Sequence, residues 1–590
     1  GDFPMTRWIL AAIACLATHF AAAAEPDWLQ QSNRNAQILL DINAKYFPES
    51  ASASGVEGHD EEVFDLKPRV AERQAADYRA AVAQLQSLRT TTTDKRVLQD
   101  LDILIDAAGT QLETLELNQK YLLTYFDLPQ VLFGGFQNLL DARVAKERHP
   151  AALVRLRRYV GAEKGHTPMT ELARQRYEEE AAANPALLGP WIVEAQQYLD
   201  NQERYLDGIE TLLKGSGLKG WQKDLATLRR QVGDYGDWVR ATVLPHARKS
   251  SQLPAELYAN NLKQFGVDMD PHEIIDRAMA NYMQTRSEIE TVARTIAAQR
   301  GWKADGYRDV IRQLKKEQIP NDKLLDLYYG RLEQIEAIVR RENIVTLPSR
   351  KAVIRLGTEA ESAASPAPHI DPPRLVGNQG EPAEFVLPTS NPNAKAGAPM
   401  DDFNYDAIAW TLTAHEARPG HELQFAAMLE RGVSTARVVY AFNSANVEGW
   451  ALYAEAVMKQ YLPPEGQLGA LQMRLMREAR AFLDPMLNLG LMEPDAAQSF
   501  LMNEVMLSEQ MAKQEVDRYT FNAPGQATSY YYGYSKLDAL RTKVELLLRE
   551  RFREQPYHDF LIGQGLLPFD LLEKAVMEEF VPGQMNARRE

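Results

Sequence analysis

From about Asp27 to Arg341, apolar residues recur at three- and four-residue spacing with charges between them. That repeat places one apolar stripe along an α-helix and leaves the opposite face to solvent. The stretches AADYRAAVAQLQSLRT (75–90), VLQDLDILIDAAGTQLETLELNQKYLL (97–123) and DPHEIIDRAMANYMQTRSEIETVARTIAAQR (270–300) carry it most clearly. The spacing predicts a scaffold of amphipathic helices. No internal repeat of fixed period accompanies it, which argues against a solenoid.

The pattern changes near Asn343. IVTLPSRKAVIRLG (344–357) is rich in β-branched residues with partial alternation, and EFVLPT (Glu384–Thr389) reads as another short strand. Around them lie SPAPHIDPPRLVGNQGEPAEF and SNPNAKAGAP, rich in Pro, Gly and Asn. A small sheet with long loops is expected, with EFVLPT offering a free edge to an extended ligand. Helical periodicity resumes at Asp401, with breaks at LPPEG (Leu462–Gly466) and NAPG (Asn522–Gly525). The organisation expected is a leader at 5–24, a helical scaffold at 25–341, strands and loops at 342–400, and a helical region at 401–590 interlocked with the scaffold as one two-lobed unit.

Composition narrows the classes. With 45% hydrophobic and 25% charged residues the chain is of ordinary globular type. A net charge of -15, with the acids spread along the chain, excludes phosphate-backbone binding as the main function, so no nucleic-acid partner is expected. Arg7 followed by WILAAIACLATHF and the small residues Ala21 to Ala24 reads as an export signal, too short in its apolar run for a stable membrane span. Cys15 is the single cysteine; Ala12 stands where a lipobox prefers leucine, so lipidation is the less favoured reading beside export to the periplasm or beyond. Thiolate metal sites are excluded, and any metal must be held by His, Asp and Glu.

Histidine is scarce, ten in the chain, yet two of them and a Glu fall within HEARPGH, His415 to His421. Neutral imidazoles bind zinc, and an adjacent carboxylate can take a proton from a metal-activated water, so His415 and His421 are candidate ligands of one zinc ion and Glu416 the candidate base. In the common HExxH arrangement the two histidines lie four apart on one helical face. Here they lie six apart, which turns them about 120° away from each other in an unbroken helix. Pro419 and Gly420 supply the remedy, and a helix defect between Ala417 and His421 is predicted.

A third ligand is sought in NSANVEGWALYAEAVM. Glu448 is the candidate, with Glu455 two turns further on the same face able to orient a ligand histidine or to serve as the ligand itself. A hydrolytic site also needs a donor to a developing oxyanion, and GQATSYYYGYSKLDALR (525–541) concentrates Tyr530, Tyr531, Tyr532 and Tyr534 after a helix break. Tyr530 and Tyr534 share a face, Tyr531 lies beside them, and Arg541 could meet a peptide carboxylate.

HEARPGHELQ, VEGWALYAE and PGQATSYYYG together resemble the bacterial domain-of-unknown-function 885 family, as does LPAELYANNLKQFGVDMDPHEII. The likeness covers most of the chain from about residue 30. It implies a mainly α, zincin-like helical metallopeptidase of the gluzincin type, more distantly similar to thimet oligopeptidase and carboxypeptidase Taq, with a small sheet beside a deep cleft and peptide substrates. Glu422 is a departure, standing where many members carry a histidine. The function expected is hydrolysis of short or unfolded peptides; a zinc amidase on another amide, or an inactive zincin-like binding protein, are the alternatives. Neither the cleavage position nor the oligomeric state follows from the sequence.

Overall fold

A computed structural model describes residues 25–365, 367–389, 400–441 and 443–587. The expected leader, residues 5–24, lies outside them.

Helices dominate, and the longest arise where the sequence keeps its apolar stripe. α1 (Val70–Thr91) and α2 (Lys95–Tyr121) form an antiparallel hairpin. The Asp94 carboxylate caps α2 by accepting from the backbone N–H groups of Arg96 and Val97, which would otherwise have no partner in the first turn. A separate apolar core, from Phe64 to Val243, fills the outer part of the N-terminal half. α3 (Pro271–Arg300) belongs instead to a core that runs from Leu117 to Tyr532 and joins both halves of the chain.

The sheet has three strands, β1 (Val353–Leu356), β2 (His369–Asp371) and β3 (Glu384–Leu387), in the order β1-β3-β2. β1 runs parallel to β3 and β2 antiparallel to it, with Ile354 and Ile370 both opposite Phe385. EFVLPT is therefore the central strand. Both of its hydrogen-bonding edges are taken, and the expectation that it offers a free edge is corrected: pairing is set by segments distant in sequence, which local alternation does not reveal.

The C-terminal region carries α4 (Asp406–Leu412), α5 (His421–Arg431), α6 (Ser444–Lys459), α7 (Pro464–Asn488), α8 (Glu509–Asp517) and α9 (Thr528–Leu548). α7 is the central rod, packed against α3, α4 and α9. α6 and α9 cross at two glycines. A Cβ on Gly533 would stand 1.9 Å from the Ala445 carbonyl oxygen, and one on Gly449 would stand 2.6 Å from Gly533 Cα. Only residues without a side chain allow this backbone contact. It brings Glu448 and the tyrosines of α9 to the same place. No helix among the described residues is long and apolar enough to cross a membrane.

Candidate metal centre

The HEARPGH segment is built on an interrupted helix. α4 passes into a π turn at Thr413–Ala417, Arg418 is extended with φ -128 and ψ 137, and helical structure restarts at His421. The π turn adds a residue to the helical cycle and the excursion at 418–420 adds more, so His415 and His421 face each other with ring centroids 4.7 Å apart. Gly420 passes so close over the preceding turn that a Cβ there would lie 1.9 Å from the His415 carbonyl oxygen. The peptide bond between Arg418 and Pro419 is cis.

Four interactions hold the excursion. Trp450 Nε1 donates to the Pro419 carbonyl at 3.0 Å, and Arg418 Nε donates to Glu422 at 2.6 Å. Arg418 also reaches Glu336 at 2.7 Å and the Arg350 carbonyl at 2.6 Å. Glu422 is thus the buried counter-charge of Arg418, a use that a histidine at this position would not serve.

His421 Nε2 lies 3.1 Å and His415 Nε2 3.4 Å from Glu448 Oε2. The candidate ligand atoms of His415, His421 and Glu448 all fall within 4.8 Å of one another. The other ring nitrogen of His415, Nδ1, lies 2.6 Å from Glu455 Oε1, which assigns the two carboxylates different positions. Glu448 shares the space between the two Nε2 atoms, while Glu455 sits behind His415 and fixes its orientation, as carboxylates commonly do for metal-binding imidazoles. The Thr411 hydroxyl donates to Glu455 Oε2 at 2.9 Å, and Arg477 lies 3.2 Å from its Oε1. His421 Nδ1 is buried without a partner. Two imidazoles and one carboxylate converging from three backbone segments suit a divalent ion of the zinc type. A second trio, Asp141, Asp371 and Glu384, differs because guanidinium groups already occupy it: Arg143 bonds Asp141 at 2.7 Å and Asp371 at 2.5 Å, and Arg355 bonds Glu384 at 2.7 Å.

Burial and neighbouring charge set the protonation of these groups. Burial alone would raise the Glu448 carboxyl, but His421 and His415 hold it well below the usual range. Glu455 is likewise opposed by burial and lowered by Arg477, His415 and Thr411. Glu416, with Oε1 3.9 Å from His415 Nε2, is pushed up to about 8, chiefly by burial.

The Tyr530 ring stacks along His415 with centroids 6.3 Å apart, and the Arg480 guanidinium covers it at 4.4 Å. Burial and Glu448 raise the Tyr530 hydroxyl, which stays protonated. Tyr534, raised to about 12 mainly by burial, lies under Arg474 at 5.4 Å. Tyr531 and Arg541 are not brought into the cluster. The Tyr531 hydroxyl accepts from Asn281 at 2.5 Å, and Arg541 bonds the Tyr453 hydroxyl, Glu545 and Glu554. Sequence reasoning missed Thr411, Arg477 and Arg480. Charges three residues apart within the otherwise apolar LQMRLMREARAFLDPML (471–487) were the signal that could have found the arginines.

A family model described as "Bacterial protein of unknown function (DUF885)" matches residues 48–576. The chain belongs to the DUF885 family. Two solved structures share its fold: a candidate lipoprotein of unknown function from Shewanella oneidensis, with TM-score 0.71, 19% identity and coverage of 94% of this chain and 100% of that one, and a candidate lipoprotein from Colwellia psychrerythraea, with TM-score 0.74, 19% identity and coverage of 94% and 99%. At that identity the likeness is one of fold. A candidate oligoendopeptidase F from Bacillus anthracis aligns at 12% identity with a TM-score of 0.28, too low to carry any argument. No curated protein sequence matches. The two full-length neighbours correct one expectation about this DUF885 chain, that export without a lipid is favoured over lipidation, since both are candidate lipoproteins. That expectation leaned on Ala12 and on the apolar run continuing past Cys15, and local preferences of that kind do not decide acylation; Cys15 itself lies outside the described residues.

Proposed function

We propose that this DUF885 protein is a zinc-dependent hydrolase that cleaves peptide bonds in short or unfolded peptides. The observation that carries the reading is the convergence of His415, His421 and Glu448 within 4.8 Å, with Glu416 next to the first ligand in the chain. A zinc ion at these three residues supplies a Lewis acid that polarises a carbonyl and makes a water molecule more acidic. Glu455, with Thr411 and Arg477 behind it, keeps the His415 ring turned so that Nε2 faces the shared space. Glu416 takes the proton from water as its oxygen adds to the carbonyl carbon, and returns that proton to the amine as the C–N bond breaks. Tyr530 donates its hydroxyl proton in a hydrogen bond to the oxyanion that develops, with Tyr534 one turn along the same helix lining the approach. In this zincin-like reading the helical half 25–341 and the site-bearing region act as one unit with the substrate cleft between them, supported by the apolar core they share.

Glu416→Gln tests the base. Against a peptide library, the zinc-loaded variant is expected to lose about 10²–10⁴-fold in kcat/KM, while zinc stoichiometry and melting temperature stay at the parent values. Hydrolysis undiminished in that variant sinks the assignment. A parent protein that binds zinc but cuts no peptide in the library sinks the peptidase reading itself.

A further inference from the structure

Two side-chain rungs join α5 to α6 at the candidate metal centre. In the first, His421 Nε2 lies 3.1 Å from Glu448 Oε2; in the second, Gln424 Nε2 donates to Asn446 Oδ1 at 3.2 Å. Residues three apart share a helical face, and a helical side chain leans over the turn that precedes it, so Gln424 covers the turn that carries His421. His421, Gln424 and Asn446 are all buried. Two atoms at these rungs have no hydrogen-bond partner in the structure, His421 Nδ1 and Gln424 Oε1, and on α5 they are the only buried side-chain nitrogen or oxygen atoms left so.

The direction of each amide in the second rung is fixed from outside it. Leu567 lies in a linker between helices, and its backbone carbonyl, which can only accept, takes Asn446 Nδ2 at 2.8 Å. That linker is itself held, Leu566 N donating to the Arg437 carbonyl at 3.0 Å and Asn443 Nδ2 to the Leu566 carbonyl at 3.1 Å. With its NH2 turned to Leu567, Asn446 presents Oδ1 to Gln424. Gln424 must then present its own NH2 to Asn446, which leaves Oε1 as an acceptor with nothing to accept. An imidazole that gives Nε2 to a metal carries its proton on Nδ1, and that N–H needs an acceptor. His415 meets the same need with Glu455, which lies 2.6 Å from its Nδ1.

We infer that Gln424 is the positioning residue of His421: when Nε2 holds the metal, the Gln424 amide oxygen accepts the Nδ1 proton, in a relay that runs from His421 through Gln424 and Asn446 to the Leu567 carbonyl. The two ligand histidines are then oriented by different chemistry, His415 by an anion and His421 by a neutral amide. This rests on the metal centre of the reading above and not on which bond is cleaved there.

Zinc affinity, by competition with a chromophoric chelator, is measured beside melting temperature on the full chain for the parent, Gln424→Met and Gln424→Glu. Both substitutions break the rung to Asn446, methionine by removing the donor and glutamate by setting an oxygen against Asn446 Oδ1, so both lower the melting temperature. They differ at Nδ1, where glutamate keeps an acceptor and methionine does not. Gln424→Met is expected to lose about 10- to 100-fold in zinc affinity, the usual cost of losing such a partner, while Gln424→Glu stays close to the parent. Undiminished affinity in Gln424→Met, or equal losses in the two variants, overturns the assignment, because a purely structural residue would lower stability and affinity together. In the zinc-loaded parent, isotope-labelled at histidine nitrogen, the His421 Nδ1 proton is expected to be protected from exchange with solvent; magnetic resonance showing that nitrogen without a proton also overturns it. A parent that binds no zinc overturns it together with the metal centre. A parent that binds zinc but cuts no peptide ends the peptidase reading alone, and the two variants still decide the role of Gln424.

Discussion

The hairpin of α1 and α2 and the stretch from Ala407 to Met428 handle charge in opposite ways. In the hairpin, opposite charges meet in solvent: Arg79 pairs with Glu116 at side-chain exposures of 57% and 49%, and Arg89 with Asp102 at 48% and 50%. Every residue from Ala407 to Met428 is buried, charged ones included, and the helix behind it holds Arg477 and Arg480 in the interior too. An exposed pair gains little because water already solvates both ions. A buried pair has exchanged hydration for each other, so each partner's presence becomes a condition of stability. The exposed pairs of the hairpin can be lost at little cost, whereas the buried pairs around the site cannot.

Removing a carboxylate from each region separates the two regimes most widely. Glu515→Ala leaves Arg480 buried without its bidentate partner and is expected to destabilise by about 3–5 kcal/mol. Glu116→Ala, on the exposed pair, is expected to change stability by about 0–1 kcal/mol. Urea unfolding of both variants beside the parent measures the contrast, and equal losses would mean that burial does not set the weight of a charge here.

The same contrast explains what the sequence revealed. α1, α2 and α3 were legible because one face of each meets solvent, and the resulting alternation survives in single-residue spacing. From Ala407 to Met428 no face meets solvent, so the spacing there marks a helix without showing which face meets which neighbour. The candidate ligands stood out there for a different reason: histidine is scarce, and Pro419 with Gly420 marks the break that lets His415 and His421 meet. The arginines of α7 were hidden because such residues, at helical spacing, ordinarily read as a solvated stripe. The central place of β3 was hidden because strand order depends on which distant segment pairs with it. Glu448 and Tyr530 share a site only because α6 and α9 touch at Gly449 and Gly533, a contact between segments some eighty residues apart.

A pH titration sharpens the comparison at the interface of α3 and α7. Glu478 is buried, accepts from the Thr285 hydroxyl at 2.8 Å, and leaves its other oxygen without a partner. Burial raises its carboxyl from 4.5 to about 8. The folded value lies above the unfolded one, so the stability this group contributes is fully present below pH 4.5 and is lost as pH rises through about 8. The parent should lose stability across that window, by an amount on the order of a few kcal/mol from this group, and Glu478→Gln should flatten the decline. Unfolding midpoints between pH 5 and pH 8.5 are the measurement, and parallel profiles for the two proteins would refute the assigned protonation.

Two glycine substitutions give the smallest effects and the finest division between the regions. Gly109 lies inside α2 with no atom within 4 Å of an added Cβ, so Gly109→Ala narrows the unfolded ensemble without a clash and is expected to stabilise by about 0.4–1 kcal/mol. Gly533 lies inside α9 with equally helical neighbours, yet its added methyl would meet the Ala445 carbonyl at 1.9 Å and Gly449 Cα at 2.8 Å. Gly533→Ala is expected to destabilise by about 1–3 kcal/mol as α6 and α9 move apart. Helix propensity favours alanine at both positions, so opposite signs in thermal unfolding would isolate the interhelical contact as the cause. Because Glu448 precedes Gly449 and Tyr530 precedes Gly533 by less than a turn, the same separation should also weaken zinc retention in Gly533→Ala and leave it intact in Gly109→Ala. Two stabilising alanines with equal zinc affinity would show that the crossing of α6 and α9 is not what assembles the site.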